Sequence, residues 1–466
     1  MYRVRGERLV PAALLLSAAL VSVAISYAAW PVVLALLIMP IAMLWPVEVA
    51  LGTFALLVPF EPILLLANRG TTLNWIIGAG TGAVLLGTGL ATGRLEPPVR
   101  PALWWTIFIG WSLFTVFWAF DVSSALARVP TAVALFMLYF VVACYRVDRQ
   151  ELSFVFLMTI LGGIAAAGYS VWQFTHGIRG IGALGSYAAR ATLAGDDRFA
   201  NPNYFASSLL LPLSLAMGLF LSAKKLSTRV FMLGAVATIG FGVLLTMSRG
   251  VLAATAAMML VYFYRFRIRI TALIPVALLA LLLFAMPDLF FARVQESVAS
   301  RAQGRFDIWR VGLEALKHYG LWGAGLGNFP NVYDVYAGMA PNFMKMHRSP
   351  HNAYLGVWVE TGILGLAAFF IAGWTQLREI GALVKSRGQL GYAQLVACEA
   401  AVVGILVHCL VAEIQWTKSF WLVSFLAAIV IRLQRDTAAE AQLVVTSMAG
   451  SASAHYFRRS PRVGRS

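Results

Sequence analysis

Charged side chains are scarce in this sequence. Only 12% of the 466 residues are Asp, Glu, Lys or Arg and 60% are hydrophobic, whereas soluble domains carry about 25% charged residues. Long apolar runs recur along the chain, which excludes a soluble globular protein and predicts an integral membrane protein. The formal net charge of +16 resides mainly in short gaps between these runs and forms no basic–aromatic stripe. Nucleic acid is therefore not an expected partner.

Cysteines and acidic clusters are also few. The three cysteines, Cys144, Cys398 and Cys409, lie in or beside apolar runs without paired or metal-ligand spacing, so we interpret them as packing residues. The sequence contains no Walker-type phosphate loop and no acidic cluster suited to a divalent cation. We expect no nucleotide, no metal and no cofactor. An enzyme of this kind would take an already activated substrate from the membrane.

The apolar runs predict an all-α fold, a polytopic bundle of about 12–14 transmembrane helices. The first run follows Arg3, Arg5 and Arg8, and we interpret it as an uncleaved helix rather than a signal peptide. The candidate segments are Leu9–Tyr27, Trp30–Trp45, Glu48–Leu66, Leu73–Thr92, Ala102–Phe120, Pro130–Tyr145, Leu152–Phe174, Tyr204–Ala223, Val230–Met247, Val251–Tyr264, Thr271–Met286, Asn352–Trp374, Leu395–Val411 and Trp416–Ile431.

The basic residues between the runs predict the orientation. With the N-terminus in the cytoplasm, the short basic gaps fall inside, as the positive-inside rule requires. The predicted domains are N-terminal transmembrane helices (1–286) with a periplasmic loop near 174–203, a large periplasmic loop with short helices (287–350), C-terminal transmembrane helices (351–434) and a disordered basic cytoplasmic tail (435–466). The protein is thus expected in a bacterial inner membrane, with both termini cytoplasmic.

The two long outer loops break the topology rule, because they are rich in arginine and lysine. Arginine presents a planar fork of donors that matches phosphate oxygens, so we interpret the excess as a diphosphate site on the periplasmic face. The alternative is that these side chains pair with nearby Asp and Glu or contact lipid headgroups. The residues concerned are Arg179, Arg190, Arg198, Arg293, Arg301, Arg305, Arg310, Lys317, Lys345 and Arg348. The stretch 306–316 has apolar residues at helical spacing and predicts an amphipathic interfacial helix.

The segment after the second loop carries the candidate catalytic group. Ser349 and Pro350 suit the cap and first position of a helix, which would place His351 in the first turn with Asn352 beside it. The positive helix N-terminus disfavours a protonated imidazole, so His351 would remain neutral and able to accept a proton. An equally open alternative is that the motif only caps a helix at the membrane surface.

Other polar residues in or beside apolar runs are interpreted as follows. Arg249 lies at the outer end of a run, where it needs a wet cavity or an anion. Glu360 is expected to make an interhelical hydrogen bond, with Gly362 in a close packing contact. Glu399 and His408 are expected to form a packing network rather than a proton relay. His347 and His351 could share a helix face, but two histidines alone are a weak metal signal.

Five motifs together resemble the bacterial O-antigen ligase family, within the superfamily that also contains O-antigen polymerases. They are RFANPNYFA (198–206), SRG (248–250), GRFDIW (304–309), HNAYL (351–355) and ETGILG (360–365). The resemblance implies a membrane glycosyltransferase that moves O-polysaccharide from undecaprenyl diphosphate to a sugar hydroxyl of lipid A–core oligosaccharide. Membrane lipids are the remaining expected partners.

The resemblance also implies a mechanism and site residues. His351 would act as the general base, and Arg198, Arg249 and Arg305 would bind the diphosphate, in a metal-independent reaction that inverts the anomeric centre. Supporting residues would be Arg190, Arg301, His347, Arg348, Asn352 and Asn203.

Two alternatives remain open at the sequence level. An O-antigen polymerase would use the same chemistry on a lipid-linked acceptor. A transporter or flippase of a lipid-linked saccharide would place its polar sites near the bilayer midplane, for which Glu399 and His408 are the main support.

Overall fold

Helices account for the regular secondary structure of this chain. The computed structural model describes residues 41–64, 73–178, 190–193, 201–267, 304–340, 346–386 and 391–435. Within these ranges the chain forms helices and turns, with one isolated antiparallel bridge between Leu95 and Tyr145 and no strand. The predicted all-α fold is confirmed. The proposed segments Leu9–Tyr27, Trp30–Trp45 (apart from 41–45) and Thr271–Met286, and the tail beyond 435, lie outside the described residues.

The helices are numbered here in chain order, and each is given with its bounds. They are α1 (Pro46–Phe60, with π- and 3-10-helical turns at its ends), α2 (Leu73–Thr92), α3 (Arg100–Trp118), α4 (Val122–Cys144), α5 (Arg149–Thr175), α6 (Pro202–Ser222), α7 (Leu226–Leu245), α8 (Arg249–Phe266), α9 (Arg305–Tyr319), α10 (Phe329–Tyr336), α11 (Ala353–Ser386), α12 (Tyr392–His408) and α13 (418–435).

Seven of these helices, within the described ranges, are long and apolar enough to cross a membrane, and α1 and α12 are shorter apolar helices. The chain is therefore a polytopic helical membrane protein. The predicted start of the α4 segment is wrong. Helix α4 begins at Val122 rather than Pro130, because Asp121 caps it by accepting a hydrogen bond from the Ser124 backbone N–H at 2.9 Å. Pro130 is accommodated inside the helix.

Helix α13 lies at the centre of the bundle. Its residues from Phe420 to Ile431 are almost all buried, as expected of a helix that is surrounded by other helices. An aromatic cluster fixes its position: the Trp105 ring of α3 lies 5.5 Å from the Phe420 ring and 5.4 Å from the Trp421 ring, and 5.6 Å from Phe369 of α11. These edge and tilted contacts stabilise beyond the area they bury.

The part of the large loop that precedes α11 forms a small layer of its own. The predicted amphipathic helix at 306–316 is confirmed as α9, and its apolar face packs with α10 against the start of α11, with Ile308 and Val311 near Leu355. The Trp309 indole N–H also donates to the Pro350 carbonyl at 3.1 Å. The loop layer is thereby fixed to the segment that contains His351.

A backbone seam joins this layer to α11. The Ala324 and Gly325 N–H groups donate to the carbonyls of Val359 and Glu360, each at 2.8 Å, and the Ile363 N–H donates to Gly320 at 2.9 Å. Gly362 has φ +68° inside α11 and kinks the helix there. A Cβ at Gly362 would lie 2.2 Å from the Leu321 carbonyl oxygen, so both the backbone angle and the space require glycine.

Gly362→Ala is predicted to destabilise the protein. A left-handed backbone and a clash with Leu321 should together cost at least about 2 kcal/mol, which lowers the thermal midpoint in detergent, measured by tryptophan fluorescence. Gly110→Ala is the matched control, because a Cβ there meets nothing within 4 Å and alanine favours a helix. Equal thermal midpoints for the two variants would contradict the requirement for glycine at the kink of α11.

Candidate functional site

Most of the predicted site residues lie in the described part of the chain, and they gather at one end of the bundle. We call it the histidine end; it is defined by His351, His408 and the starts of α4, α6, α8 and α11. Arg198 and Arg301 lie outside the described residues. The opposite end carries Arg94, Arg146 and Arg265.

His351 precedes α11 instead of lying in its first turn, so that prediction is wrong. Asn352 is the cap: its side-chain oxygen accepts from the Leu355 N–H and its carbonyl from the Gly356 N–H, each at 3.0 Å. Ser349 does not cap the helix, because His351 has φ +46° and a left-handed residue cannot continue helical geometry. Asn352 thus fixes the backbone next to His351.

The surroundings of His351 keep its imidazole neutral. Burial is the main cause of a lowered pKa, and the positive charges of Arg305 and Arg348 lower it further, to about 3. The neutral state predicted from the sequence is therefore supported, but its cause is burial and two arginines rather than a position inside the helix. A neutral imidazole beside cations can accept a proton only when those charges are compensated.

His347 anchors the segment that carries His351. Its Nδ1 lies 2.5 Å from the Asp334 carboxylate, and its backbone N–H donates to the same carboxylate at 2.6 Å. His347 has φ +55° and lies outside any helix, so the prediction that it could share a helix face with His351 is wrong. With Trp309 bonded to Pro350, residues 347–350 are attached to both α9 and α10.

Arg249 and Arg305 are each the first residue of a helix, α8 and α9 respectively. A helix N-terminus carries partial positive charge, which disfavours a cation there and favours an anion. Two arginines placed at such positions raise the local positive potential at the histidine end. This arrangement suits a multiply charged anion such as a diphosphate.

Contacts around His408 show that these elements converge. A Cβ on Gly250, next to Arg249, would lie 3.1 Å from the His408 Nδ1. Arg305 lies within electrostatic range of both His408 and His351. The Ala353 N–H donates to the Cys409 carbonyl at 2.7 Å, which joins the start of α11 to the end of α12.

Arg190 has a positioning contact at the same end. It is buried, and its guanidinium donates to the Thr246 carbonyl at 2.8 Å and to the Asn203 side-chain oxygen at 2.9 Å. Asn201 caps α6 through the Asn203 N–H at 2.9 Å. The predicted supporting residues Arg190 and Asn203 are thus in direct contact. They join the start of α6 to the turn before Arg249.

A charged cluster at the histidine end was missed by the sequence analysis. Arg128, in α4, interacts electrostatically with Glu413 and with the buried carboxylate of Glu360. Glu413 lies between α12 and α13, and burial together with Glu360 raises its pKa to about 7. Glu360 accepts a hydrogen bond from the Phe329 N–H at 3.2 Å, which confirms the predicted interhelical bond. The sequence signal that could have identified Arg128 is a charged residue within a membrane-spanning helix, where charge is usually functional.

The remaining polar residues have structural partners. The Glu399 carboxylate accepts from the Arg265 Nε at 2.8 Å, far along α12 from His408. The two residues therefore form no direct pair with each other, and each packs separately. Lys317 pairs with Glu314 at 2.7 Å, as the alternative interpretation of the loop cations predicted.

Comparison with known proteins gives one family match. Residues 233–370 match the sequence model of the O-antigen ligase family. This match supports the resemblance to the O-antigen ligase/polymerase superfamily. The matched segment extends from α7 into α11 and contains Arg249, Arg305 and His351. No match was found among curated proteins. A glycosyltransferase-like membrane enzyme of lipopolysaccharide synthesis is the coarse activity that this match indicates.

Arg305→Gln is predicted to raise the pKa of His351, because it removes a neighbouring positive charge. The pKa should stay below its ordinary value, since burial is the larger cause and is retained. Nuclear magnetic resonance of ¹³C-histidine-labelled protein, with the signal assigned through His351→Gln, measures this titration.

Arg310→Gln is the matched control, because Arg310 is an exposed residue of the same helix. Arg310→Gln should leave the pKa of His351 unchanged. An unchanged or lower pKa in Arg305→Gln would contradict the assignment of Arg305 to this site.

Proposed function

We propose that this protein is an O-antigen ligase, which transfers undecaprenyl-diphosphate-linked O-polysaccharide to a sugar hydroxyl of lipid A–core oligosaccharide. The observation that carries the proposal is the grouping of a neutral histidine, His351, with helix-terminal arginines at one end of a membrane bundle. The family match supports the reaction class. The matched family is described as O-antigen ligase, and polymerases of the same superfamily share the reaction class.

The proposed reaction is a direct displacement at the anomeric carbon. The acceptor hydroxyl oxygen forms a bond to that carbon while the bond from the carbon to the phosphate oxygen breaks. His351 takes the hydroxyl proton, and undecaprenyl diphosphate leaves with the electron pair. Attack from the side opposite the leaving group inverts the anomeric centre, and the step requires no metal in this scheme.

The arginines take different parts in this scheme. Arg249 and Arg305, with Arg198, bind the diphosphate and stabilise the charge that develops on it, and Arg348 and Arg301 are supporting cations in this proposal. Arg190 and Asn203 hold the starts of α6 and α8 through their mutual contact. His347 and Asn352 act through the backbone, since one anchors the segment before His351 and the other caps the helix after it.

The proposed orientation places the histidine end at the periplasmic face of the inner membrane, with both termini in the cytoplasm. Arg94, Arg146 and Arg265 lie at the opposite end of the bundle, which supports that end as cytoplasmic under the positive-inside rule. The domain division proposed from the sequence, with boundaries after 286, 350 and 434, follows from the same topology.

The contacts of α12 do not support the transporter alternative. Its main support in the sequence was a possible proton relay between Glu399 and His408, but Glu399 pairs with Arg265. Arg249 and Arg305 are the first residues of their helices. Transporters instead place their substrate and ion sites near the middle of the membrane.

Donor binding is predicted to raise the pKa of His351. The diphosphate would bring negative charge next to Arg305 and Arg348, which lower that pKa in the free protein. An imidazole with a higher pKa is a stronger base. As the pH falls, His351 therefore becomes protonated at a higher pH in the donor complex than in the free enzyme. Protonated His351 cannot act as the base, so activity is lost at that higher pH.

Initial rates of ligation across the acid range test this coupling. The acid limb of kcat, which reports the substrate complex, should lie at higher pH than the acid limb of kcat/KM for the donor, which reports the free enzyme. Coincident limbs, or a kcat limb at lower pH, would contradict it.

Purified protein in detergent, given undecaprenyl-diphosphate glycan and lipid A–core in the presence of EDTA, is predicted to form the ligated product. His351→Ala should lower kcat by about 10²–10⁴-fold, while donor binding is retained. His318→Ala, an exposed histidine of α9, is the matched control and should remain active.

The products distinguish the alternatives. Undiminished ligation by a folded His351→Ala variant would overturn the catalytic assignment. A longer lipid-linked glycan with no glycan on lipid A–core would identify a polymerase instead. Loss of all product in EDTA, restored by added metal, would contradict the metal-independent mechanism.

A further inference from the structure

A cavity of about 640 Å³ lies beside the site, enclosed by α1, α2, α4, α6 and the segment that joins α12 to α13. This volume is in the range of pockets that bind small molecules. It adjoins the proposed reaction site, because Tyr204 lines it next to Asn203, and Glu413 lines it a few residues after Cys409. The proposed reaction gives this cavity no role.

The cavity is polar at the histidine end and apolar further in. Its polar lining includes Glu61, Arg128, Glu413 and Lys418. Its apolar lining extends along α4 to Leu138, about 15 Å from Arg128 at 1.5 Å per residue. The lining therefore matches an amphiphile that has a polar head and a hydrocarbon chain.

The charges of the polar part are balanced. The Lys418 ammonium contacts the Glu61 carboxylate, and Arg128 interacts with Glu360 and Glu413. A phosphate would therefore meet a carboxylate beside either cation. Hydroxyl groups, which donate and accept hydrogen bonds without net charge, suit this balanced lining.

Neutral polar side chains also line the cavity. The Asn74 amide is held in place because its Nδ2 donates to the Leu57 carbonyl at 2.6 Å. Thr131 and Thr417 add hydroxyl groups to the lining, which can donate and accept hydrogen bonds. Trp75 adds a flat aromatic face.

The cavity opens on the outer surface of the bundle between α2 and α4. Three of its lining residues, Trp75, Ala79 and Pro130, are exposed. A ligand could therefore enter from the bilayer, with its chain between these helices and its head towards the histidine end.

We propose that this cavity is a saccharide site that binds the neutral sugar head of a membrane amphiphile. Arg128 and Glu413 would pair with its hydroxyl groups, and Ala134 and Leu138 would contact its hydrocarbon chain. The inference goes beyond the ligase proposal and does not depend on it, since binding here is measured without transfer.

Photolabelling tests the proposal on the full chain in phosphatidylcholine nanodiscs. The probes are octyl glucoside, octyl phosphate and octyl tetraethylene glycol, each with a diazirine in the chain, and mass spectrometry maps the labelled peptides. Octyl glucoside should label the cavity-lining parts of α2 and α4 most strongly. Excess unlabelled octyl glucoside should suppress that labelling.

Ala134→Leu should reduce glucoside labelling at least about fivefold, because it fills the cavity without removing a polar group. Ala127→Leu is the matched control: it lies on the same helix, is exposed and is not part of the lining. Should Ala134→Leu fail to fold, Glu413→Gln decides, since it removes a carboxylate oxygen that accepts from a hydroxyl and should also weaken glucoside labelling.

Three results would overturn the proposal. Equal labelling by the three probes would indicate a general hydrocarbon gap. Preference for octyl phosphate would indicate an anion site. Unchanged labelling in a folded Ala134→Leu protein would place the glucoside elsewhere. None of these results affects ligation, so the two proposals can fail separately.

Discussion

The backbone seam between residues 320–325 and 359–363 is the constraint on which the position of His351 depends. Its hydrogen bonds fix the kink of α11 at Gly362. His351 precedes this kink by eleven residues, about 16 Å along a helix. The loop layer of α9 and α10 packs on the same stretch and bonds to Pro350 and His347. Seam, loop layer and histidine therefore form one positioned unit.

Electrostatics gives this unit its chemistry. Arg249 and Arg305 occupy helix N-termini, where the helix dipole favours a negative charge. The charges of Arg305 and Arg348, with burial, keep His351 neutral. In the proposed reaction, the diphosphate would bind at these helix ends and strengthen the base in one binding event. Donor recognition and activation of the acceptor hydroxyl would then be linked through Arg305.

Beside this positive site lies a cavity with balanced charge. Arg128 interacts with the carboxylates of Glu360 and Glu413, whereas Arg249 and Arg305 lie at helix N-termini. The two regions thus suit different ligand groups, an anion in one and hydroxyl groups in the other. They adjoin through Asn203 and Tyr204, which are consecutive in α6. One end of the bundle can therefore hold both kinds of group at once.

The sequence predicted the helical class and most span positions, because long apolar runs have few other folds in a membrane. It also predicted the amphipathic helix α9 from its apolar spacing. It misplaced the start of α4, since a proline can lie inside a transmembrane helix, and therefore left Arg128 in a loop. It assigned the cap to Ser349 rather than Asn352, because the left-handed backbone at His351 is set by tertiary contacts. Glu413 had no local signal, since its partners are distant in the chain.

The most direct test of the central claim is an experimental structure with undecaprenyl diphosphate bound, determined by electron cryomicroscopy in nanodiscs. The account predicts phosphate oxygens within hydrogen-bond reach, about 2.7–3.2 Å, of the Arg249 and Arg305 guanidinium groups, with the His351 imidazole facing the terminal phosphate. A diphosphate bound away from both arginines, for example beside Arg128 in the cavity, would contradict it.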